Sequence, residues 1–518
     1  MSSVSSDEVV EAGERPGAPE GGVPWRRLDV RMLVVHPIRE VVQRLPLLAG
    51  VLIAGTSTGR TGLWGLVGAV VTVGLGLLRW FTTTYRVAGG RVQVRRGLLR
   101  RQVVSAPLDR VRTVDVSAPA LYRVLGLVRL TVGTGQSDRR SNTGLRLDGL
   151  TAAEAERLRT ELLRRPERAA APSVVTEEVL ALAAPSWIRY APFTLSGFLT
   201  VFVIAGFAWR IASEARIDPR RLGQATAGYA QLGAPPWLEA LAAALLLLAV
   251  VACASTIGYV LAFYRFRLVR GPDGSLQVGR GLVSTRSTTI EGRRLRGVEI
   301  SEPLLLRAVQ GARCIAIATG LRVGRGAERG GTLLLPPAPM EEARRVAGSI
   351  LGTAEPVAGR LAPHGAAAHR RRYTRLLLAW IPISAVLLVL VWRMSLPPWP
   401  WEGSLALLPL GLALAHDRYR SLGHALVGRT LVTSRGSLVR RRCMLACDGI
   451  IGWNLDQSFF QRRAGLATLV ATTAAGRQQY AVQDVPLDEA VRIADRAVPG
   501  LLSPFLVAGE PEPEAVAS

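Results

Sequence analysis

The chain has 518 residues, 49% of them hydrophobic, with 64 basic and 39 acidic side chains and a formal net charge of +25. Every basic residue is arginine, and a chain without lysine has no Walker lysine, no kinase phosphate lysine and no pyridoxal Schiff base, which argues against ATP hydrolysis and pyridoxal chemistry. Total exclusion of lysine beside abundant Ala, Gly, Val and Leu reads as the codon bias of a GC-rich genome, so the position of an arginine is more informative than the number, and nucleic acid is not expected as a partner.

Residues 1–24 carry Asp7, Glu8, Glu11, Glu14 and Glu20 among Gly and Pro with no apolar run, which predicts a disordered tail and no signal peptide. A unit used three times follows: two apolar stretches close together, then roughly 80 residues of short β-like segments ending in an amphipathic helix. The apolar stretches are Leu45 to Ala54 with Leu63 to Leu78, Pro192 to Ala208 with Leu238 to Phe263, and Leu376 to Val391 with Leu405 to Ala415. Read as helices they predict six membrane spans in three pairs, the first and last borrowing flanking residues to reach spanning length. Trp64, Trp80, Trp187, Trp209, Trp237, Trp392, Trp399 and Trp401 lie at their ends, where an indole suits the headgroup level.

After each pair the chain alternates around a glycine, as in Arg91 to Leu99, Ser275 to Val283 and Leu431 to Val439, which predicts a β-hairpin. Roughly 29 or 30 residues later comes a second landmark, Leu125-Gly126-Leu127, Gln310-Gly311-Ala312 or Ala464-Gly465-Leu466, followed by an apolar strand. Helical patterns from Ala152, Met340 and Asp488 close the copies, with Thr151 and Asp488 as expected caps. The expected organisation is a tail at 1–24, helix pair 25–82, β domain 83–166, linker 167–185, helix pair 186–263, β domain 264–352, linker 353–372, helix pair 373–417, β domain 418–500 and a tail at 501–518.

With its Arg96-Gly97-Leu98-Leu99 hairpin, its Leu108-Asp109-Arg110-Val111 turn, its Leu-Gly-Leu corner and a strand ending in Thr-Gly, each β domain resembles the bacterial pleckstrin-homology-like (PH-like) domain of the second type. The whole chain is similar to a multi-pass membrane family with three such domains. The resemblance covers about residues 25–500 and is weakest in the second copy, where Gly271-Pro272-Asp273-Gly274 and the Gly324 to Gly331 loop are expanded. It implies small antiparallel barrels or rolls, each capped by its closing helix, and a role in membrane-associated assembly or envelope-stress defence. These landmarks are structural, so they say little about chemistry.

Arginines crowd one side of the expected spans: Arg26 to Arg44 before the first, Arg79 to Arg96 after the second, Arg265, Arg267 and Arg270 after the fourth, and Arg370, Arg371, Arg372 and Arg375 before the fifth. By the positive-inside rule the termini and all three β domains face the cytoplasm of a bacterial cell. Chemistry-bearing motifs are scarce. Gly55-Thr56-Ser57-Thr58-Gly59 has the spacing of a nucleophile elbow but ends an apolar stretch, where a polar turn is the better reading. Cys443 and Cys447 lack a second pair, Cys253 and Cys314 are isolated, and the five histidines are scattered, so no metal, cofactor or disulfide is expected. The span centres carry no ionisable residue, which argues against ion-coupled transport.

The expected function is a non-enzymatic binding or scaffold component. Its partners would be membrane lipids and either another PH-like membrane protein or a second copy. The candidate anionic-lipid contacts are Arg95, Arg96, Arg100, Arg101, Arg435, Arg440, Arg441 and Arg442, basic groups worth about 1 kcal/mol each near an anionic surface. Strand addition to a barrel edge is the competing mode of recognition. A transporter or export accessory is the alternative from another class, favoured by a polar cavity between the helix pairs.

Overall fold

The computed structural model describes residues 25–32, 35, 83–88, 90–96, 102–107, 113–133, 145–163, 177–194, 206, 235–320, 332–395 and 397–502. In chain order the strands are β1 (Arg26–Arg27), β2 (Thr84–Ala88), β3 (Arg91–Arg96), β4 (Gln102–Pro107) and β5 (Thr113–Ala118), followed by helix α1 (Ala120–Val124), β6 (Leu127–Gly133), β7 (Leu145–Thr151) and α2 (Ala152–Leu163). The second copy supplies β8 (Glu178–Leu182), α3 (Pro236–Phe263), β9 (Arg267–Arg270), β10 (Leu276–Arg280), β11 (Thr285–Ile290), β12 (Leu295–Pro303), α4 (Leu304–Ala308), β13 (Gly311–Ala318), β14 (Leu333–Pro339) and α5 (Met340–Leu351). The third supplies α6 (Gly365–Met394), α7 (Trp399–Arg420), β15 (Gly423–Val427), β16 (Thr430–Arg435), β17 (Val439–Ala446), β18 (Gly452–Asp456), α8 (Phe459–Arg463), β19 (Leu466–Thr472), β20 (Gln479–Pro486) and α9 (Leu487–Ala497).

The chain divides into two compact units. The smaller holds β1 to β4, β7 and α2, with the antiparallel order β1-β2-β3-β4. Tyr85 and Arg26 both donate to Glu154 Oε1, at 2.9 and 2.7 Å, fixing the closing helix within this unit. Burial together with the Glu154 charge pushes the Tyr85 phenol up to about 12. Thr151 caps α2 as expected, accepting from the Glu154 N–H at 3.2 Å. Asp488 does not cap α9, which begins a residue earlier after Pro486, so its carboxylate instead lies in the first turn and complements the helix dipole.

In the larger unit, strands of neighbouring copies join edge to edge instead of closing as three separate barrels. One sheet runs β6-β5-β11-β10-β9-β8 and another β14-β13-β12-β17-β16-β15, all antiparallel, while β18-β19-β20 stands alone. β5 of the first copy pairs with β11 of the second, and β12 of the second pairs with β17 of the third. The apolar core runs through these shared sheets, from Phe266, Leu268 and Ile290 to Val298, Ile300, Val432 and Met444.

Turn glycines show why the hairpins recur. Gly281 and Gly436 have φ of +110° and +106°, and a Cβ at either would lie 2.0 or 2.1 Å from the carbonyl oxygen of Ser284 or Val439. The second landmark shifts by one residue from its sequence alignment. The left-handed position is taken by Gly126, Gln310 and Gly465, so in the middle copy glutamine pays the strain at φ 56° while Gly311 packs against Tyr190 and Leu306.

The expectation of six membrane helices in three pairs is overturned. Among the described residues two helices are long and apolar enough to cross a membrane, Leu241–Phe263 within α3 and Gly365–Met394, and the architecture is dominated by sheets. Both are almost entirely exposed. Leaving side chains such as Leu245, Leu246, Leu247 and Leu248 in water costs about 1.5–3 kcal/mol each, so these helices suit an apolar surrounding. The sixth stretch fails because it is short. It forms part of α7, whose ends carry Glu402 and Asp417, Arg418 and Arg420, and which packs along α6 through Trp380 Nε1 donating to the Ser404 carbonyl at 3.0 Å and a Ser384 to Ser404 hydroxyl contact at 3.2 Å. The stretches Leu45 to Ala54 and Leu63 to Leu78, nearly all of Pro192 to Ala208, the residues 55–59 motif, the tail at 1–24 and the tail at 501–518 beyond residue 502 lie outside the described residues.

Candidate anion-binding site at the junctions between copies

The two junctions follow one rule. In the hairpins, Arg96 lies opposite Gln102, Arg280 opposite Arg286 and Arg435 opposite Arg441, so these positions correspond. At the first junction Arg286 pairs in register with Ser117, two residues before Pro119, which precedes α1; at the second Arg441 pairs with Ser301, two residues before Pro303, which precedes α4. An acid two residues further back reaches the same arginine in each case. Arg286 Nε donates to Asp115 Oδ1 at 3.0 Å, and Arg441 Nε lies 3.4 Å from Glu299 Oε1. The short helix then touches the next copy's hairpin turn, with Arg123 donating to the Leu282 carbonyl and the Leu304 N–H to the Leu438 carbonyl at 2.7 Å.

Several of the arginines singled out from sequence are engaged at the second junction. Arg441 faces Glu299, Arg440 pairs with Asp417 at 3.3 Å, and Arg442 donates to the carbonyls of Gly359 and Pro356 at 2.7 and 3.1 Å. Burial lowers the affinity of Arg441 and Arg442 for their protons, with like charges on Arg477 and Arg344 adding to the effect. Arg435 closes β16 beside them and Arg95 and Arg96 close β3 in the smaller unit, whereas Arg100 and Arg101 lie outside the described residues.

A different set of arginines surrounds a cavity of about 300 Å³ at the first junction: Arg123, Arg265, Arg267, Arg280 and Arg286, beside Tyr264. Tyr264 and Arg265 immediately follow the membrane-length helix α3. Among the described residues, Asp115 engages Arg286 and Glu177 engages Arg267 at 3.1 Å. The Arg280 guanidinium lies 5.2 Å from the Phe263 ring centre, and burial with repulsion from Arg286 pushes it down to about 10 against the opposing pull of Asp115. A bound anion would relieve that repulsion, and five forked donors suit a phosphate. From sequence, Arg265 and Arg267 read only as topology signals, and Arg123, Arg280 and Arg286 carry no local pattern that distinguishes them from other arginines.

Around the base of α6 lies a second polar cluster. Asp484, at φ 56°, meets Arg372 at 2.7 Å and Arg371 at 3.2 Å and accepts from Gln461 Nε2 at 2.8 Å. Next to it, His364 Nδ1 donates to the Gln483 carbonyl at 2.7 Å, which leaves Nε2 to accept from His424 Nδ1 at 3.1 Å, and His424 Nε2 lies 3.7 Å from Glu489. Burial and the neighbouring imidazole push His364 down to about 4, and burial lowers His424. These histidines, which the sequence presents as scattered, are a buried joint. Among the described residues no cluster of metal-binding side chains is found.

Comparison with known proteins agrees with the repeat. The model of the family described as "Bacterial PH domain" matches residues 36–166, 217–354 and 373–497. The UPF0699 transmembrane protein YdbT of Bacillus subtilis (strain 168) is 22% identical over 444 residues, which cover 81% of this chain and 86% of that protein. No solved structure matches.

Proposed function

We propose a function for this chain from the premise that it belongs to the bacterial PH domain family: it is a non-enzymatic membrane protein whose PH-like copies face the cytoplasm and hold anionic lipid headgroups while serving as a scaffold for a membrane-associated assembly. The observation that carries this reading is the cavity of about 300 Å³ where five arginines from α1, β9 to β11 and the end of α3 converge. That helix ends at Phe263, and Tyr264 and Arg265 follow at the depth where headgroup phosphates would lie if Leu241–Phe263 crosses the bilayer. The name of the Bacillus relative, a transmembrane protein, supports the membrane setting. Where the first junction is open and basic, the second spends its arginines on Glu299, Asp417 and backbone carbonyls, which suits a structural joint.

The test is gentle solubilisation of the protein from its native membranes, followed by mass spectrometry of retained lipids and proteins. Retention of anionic phospholipid in preference to zwitterionic lipid is the expected result. A preparation that retains no anionic lipid overturns the headgroup reading, and one that retains no protein partner or second copy overturns the scaffold reading.

A further inference from the structure

Among the described residues, the junction rule leaves one strand at each end of the repeat with a neighbour on one side only. β5 and β12 each have two antiparallel partners, one inside their own copy and one supplied by the third hairpin strand of the next copy. β18 occupies the same place in the third copy, with β19 on one side and no strand on the other among the described residues. At the other end, β4 is the third hairpin strand of the first copy and is terminal in its sheet among the described residues. Both edges carry exposed apolar side chains. Leu455 is 43% exposed, Ile451 just before β18 is 66% exposed, and Val103 on β4 is 56% exposed. β18 has no proline and carries its charge only at its end, in Asp456, and β4 has a proline only at its end, Pro107.

Applying the internal register to these ends gives a definite pairing. Gln102 corresponds to Arg286 and Arg441 by hairpin register, and Asp456 corresponds to Ser117 and Ser301 by its place two residues before Ser458, which precedes α8. Gln102 then lies opposite Asp456, Val103 opposite Leu455 and Val104 opposite Asn454. The position of the acid that reaches the junction arginine, Asp115 in the first copy and Glu299 in the second, is Asn454 in the third. Both members of the ion pair have become amides together: Asp115 with Arg286, Glu299 with Arg441, and Asn454 with Gln102. Asp456, directly opposite Gln102 in this register and accepting from the Asn454 amide at 3.1 Å, offers an acceptor that a glutamine amide can satisfy.

From this we infer that β18 of one molecule adds β4 of a second copy of the same chain, continuing the repeat head to tail through a third junction of the same register. The contact is heterologous, so it generates either a closed ring or a longer array. The inference rests on the scaffold reading above, for which it names the partner, and is independent of lipid binding.

The experiment uses the full chain in native membranes, with the exposed Cys253 replaced by Ala and two differently tagged copies expressed together, one carrying Leu455→Cys and the other Val103→Cys. Mild oxidation is expected to give a mixed-tag disulfide dimer that needs both cysteines. Pairing Leu455→Cys with Val124→Cys, which is 84% exposed on α1, serves as the control and should give none. Placing acids on both strands, with Asn454→Asp in the Leu455→Cys copy and Gln102→Glu in the Val103→Cys copy, should cut the yield by about tenfold or more. Asn454→Asp with Gln102→Arg recreates the internal ion pair and should restore the yield. Absence of the mixed dimer in folded protein, equal cross-linking with the Val124→Cys control, or a yield unmoved by the paired acids would each overturn the assignment. Lipid retention measured on the same membranes separates this failure from failure of the headgroup reading.

Discussion

The first and second junctions share strand order, register and an acid–arginine pair, yet differ in burial. Asp115 and Arg286 are partly open to solvent, whereas the Glu299 side chain is 2% exposed and faces both Arg441 and Arg477. A buried carboxylate between two guanidinium groups stabilises only while all partners are present, and removing the charge strands two cations. The open pair is screened by water and is worth less. One backbone rule therefore produces two different products, a locked joint between the second and third copies and an accessible basic cavity between the first and second.

Unequal response to matched mutations would sharpen this contrast, and equal response would break it. Glu299→Gln leaves Arg441 and Arg477 without their carboxylate and is expected to destabilise the chain by about 3–5 kcal/mol, read as a lowered unfolding midpoint in detergent. The histidine joint should give the next largest effect. Because His364 titrates near 4 in the folded chain against 6.5 ordinarily, the unfolded chain takes up a proton that the folded chain refuses as pH drops through this window. Stability is fully present above pH 6.5 and falls by about 3 kcal/mol as pH approaches 4, and His364→Asn should flatten the profile. Asp115→Asn at the open junction is expected to cost about 1 kcal/mol or less by the same unfolding measurement. Replacement of Arg265 by Gln should shift stability least of all, since its exposed position lets water take over, while reducing anionic lipid retention.

Much of the fold is legible in the sequence because it is local. The hairpin glycines, the apolar strand after the second landmark and the closing helices follow from turn chemistry and periodicity, the third helix beginning at Leu487, one residue before the Asp488 start read from sequence. Pairing between copies is not legible, since β5 and β11 are separated by more than a hundred and fifty residues and alternation specifies only that a strand has a buried face, not which strand lies beside it. For the same reason Arg440, Arg441 and Arg442 read as a lipid-facing patch although three neighbouring elements take up their hydrogen bonds. His364 and His424 are distant in sequence and meet only through the isolated pairing of Ala362 with His424. Among the described residues, apolar composition overstates Leu405 to Ala415 as a span because it reports hydrophobicity without length: the stretch is apolar, but charges near both ends of α7 bound it.

The most direct test of the account compares lipid retained by the unmodified chain, by Arg265→Gln/Arg280→Gln at the first junction, and by Arg435→Gln/Arg440→Gln at the second. The account predicts that anionic phospholipid is lost from the first variant and kept by the second. Equal retention by all three, or selective loss from the second, would contradict it.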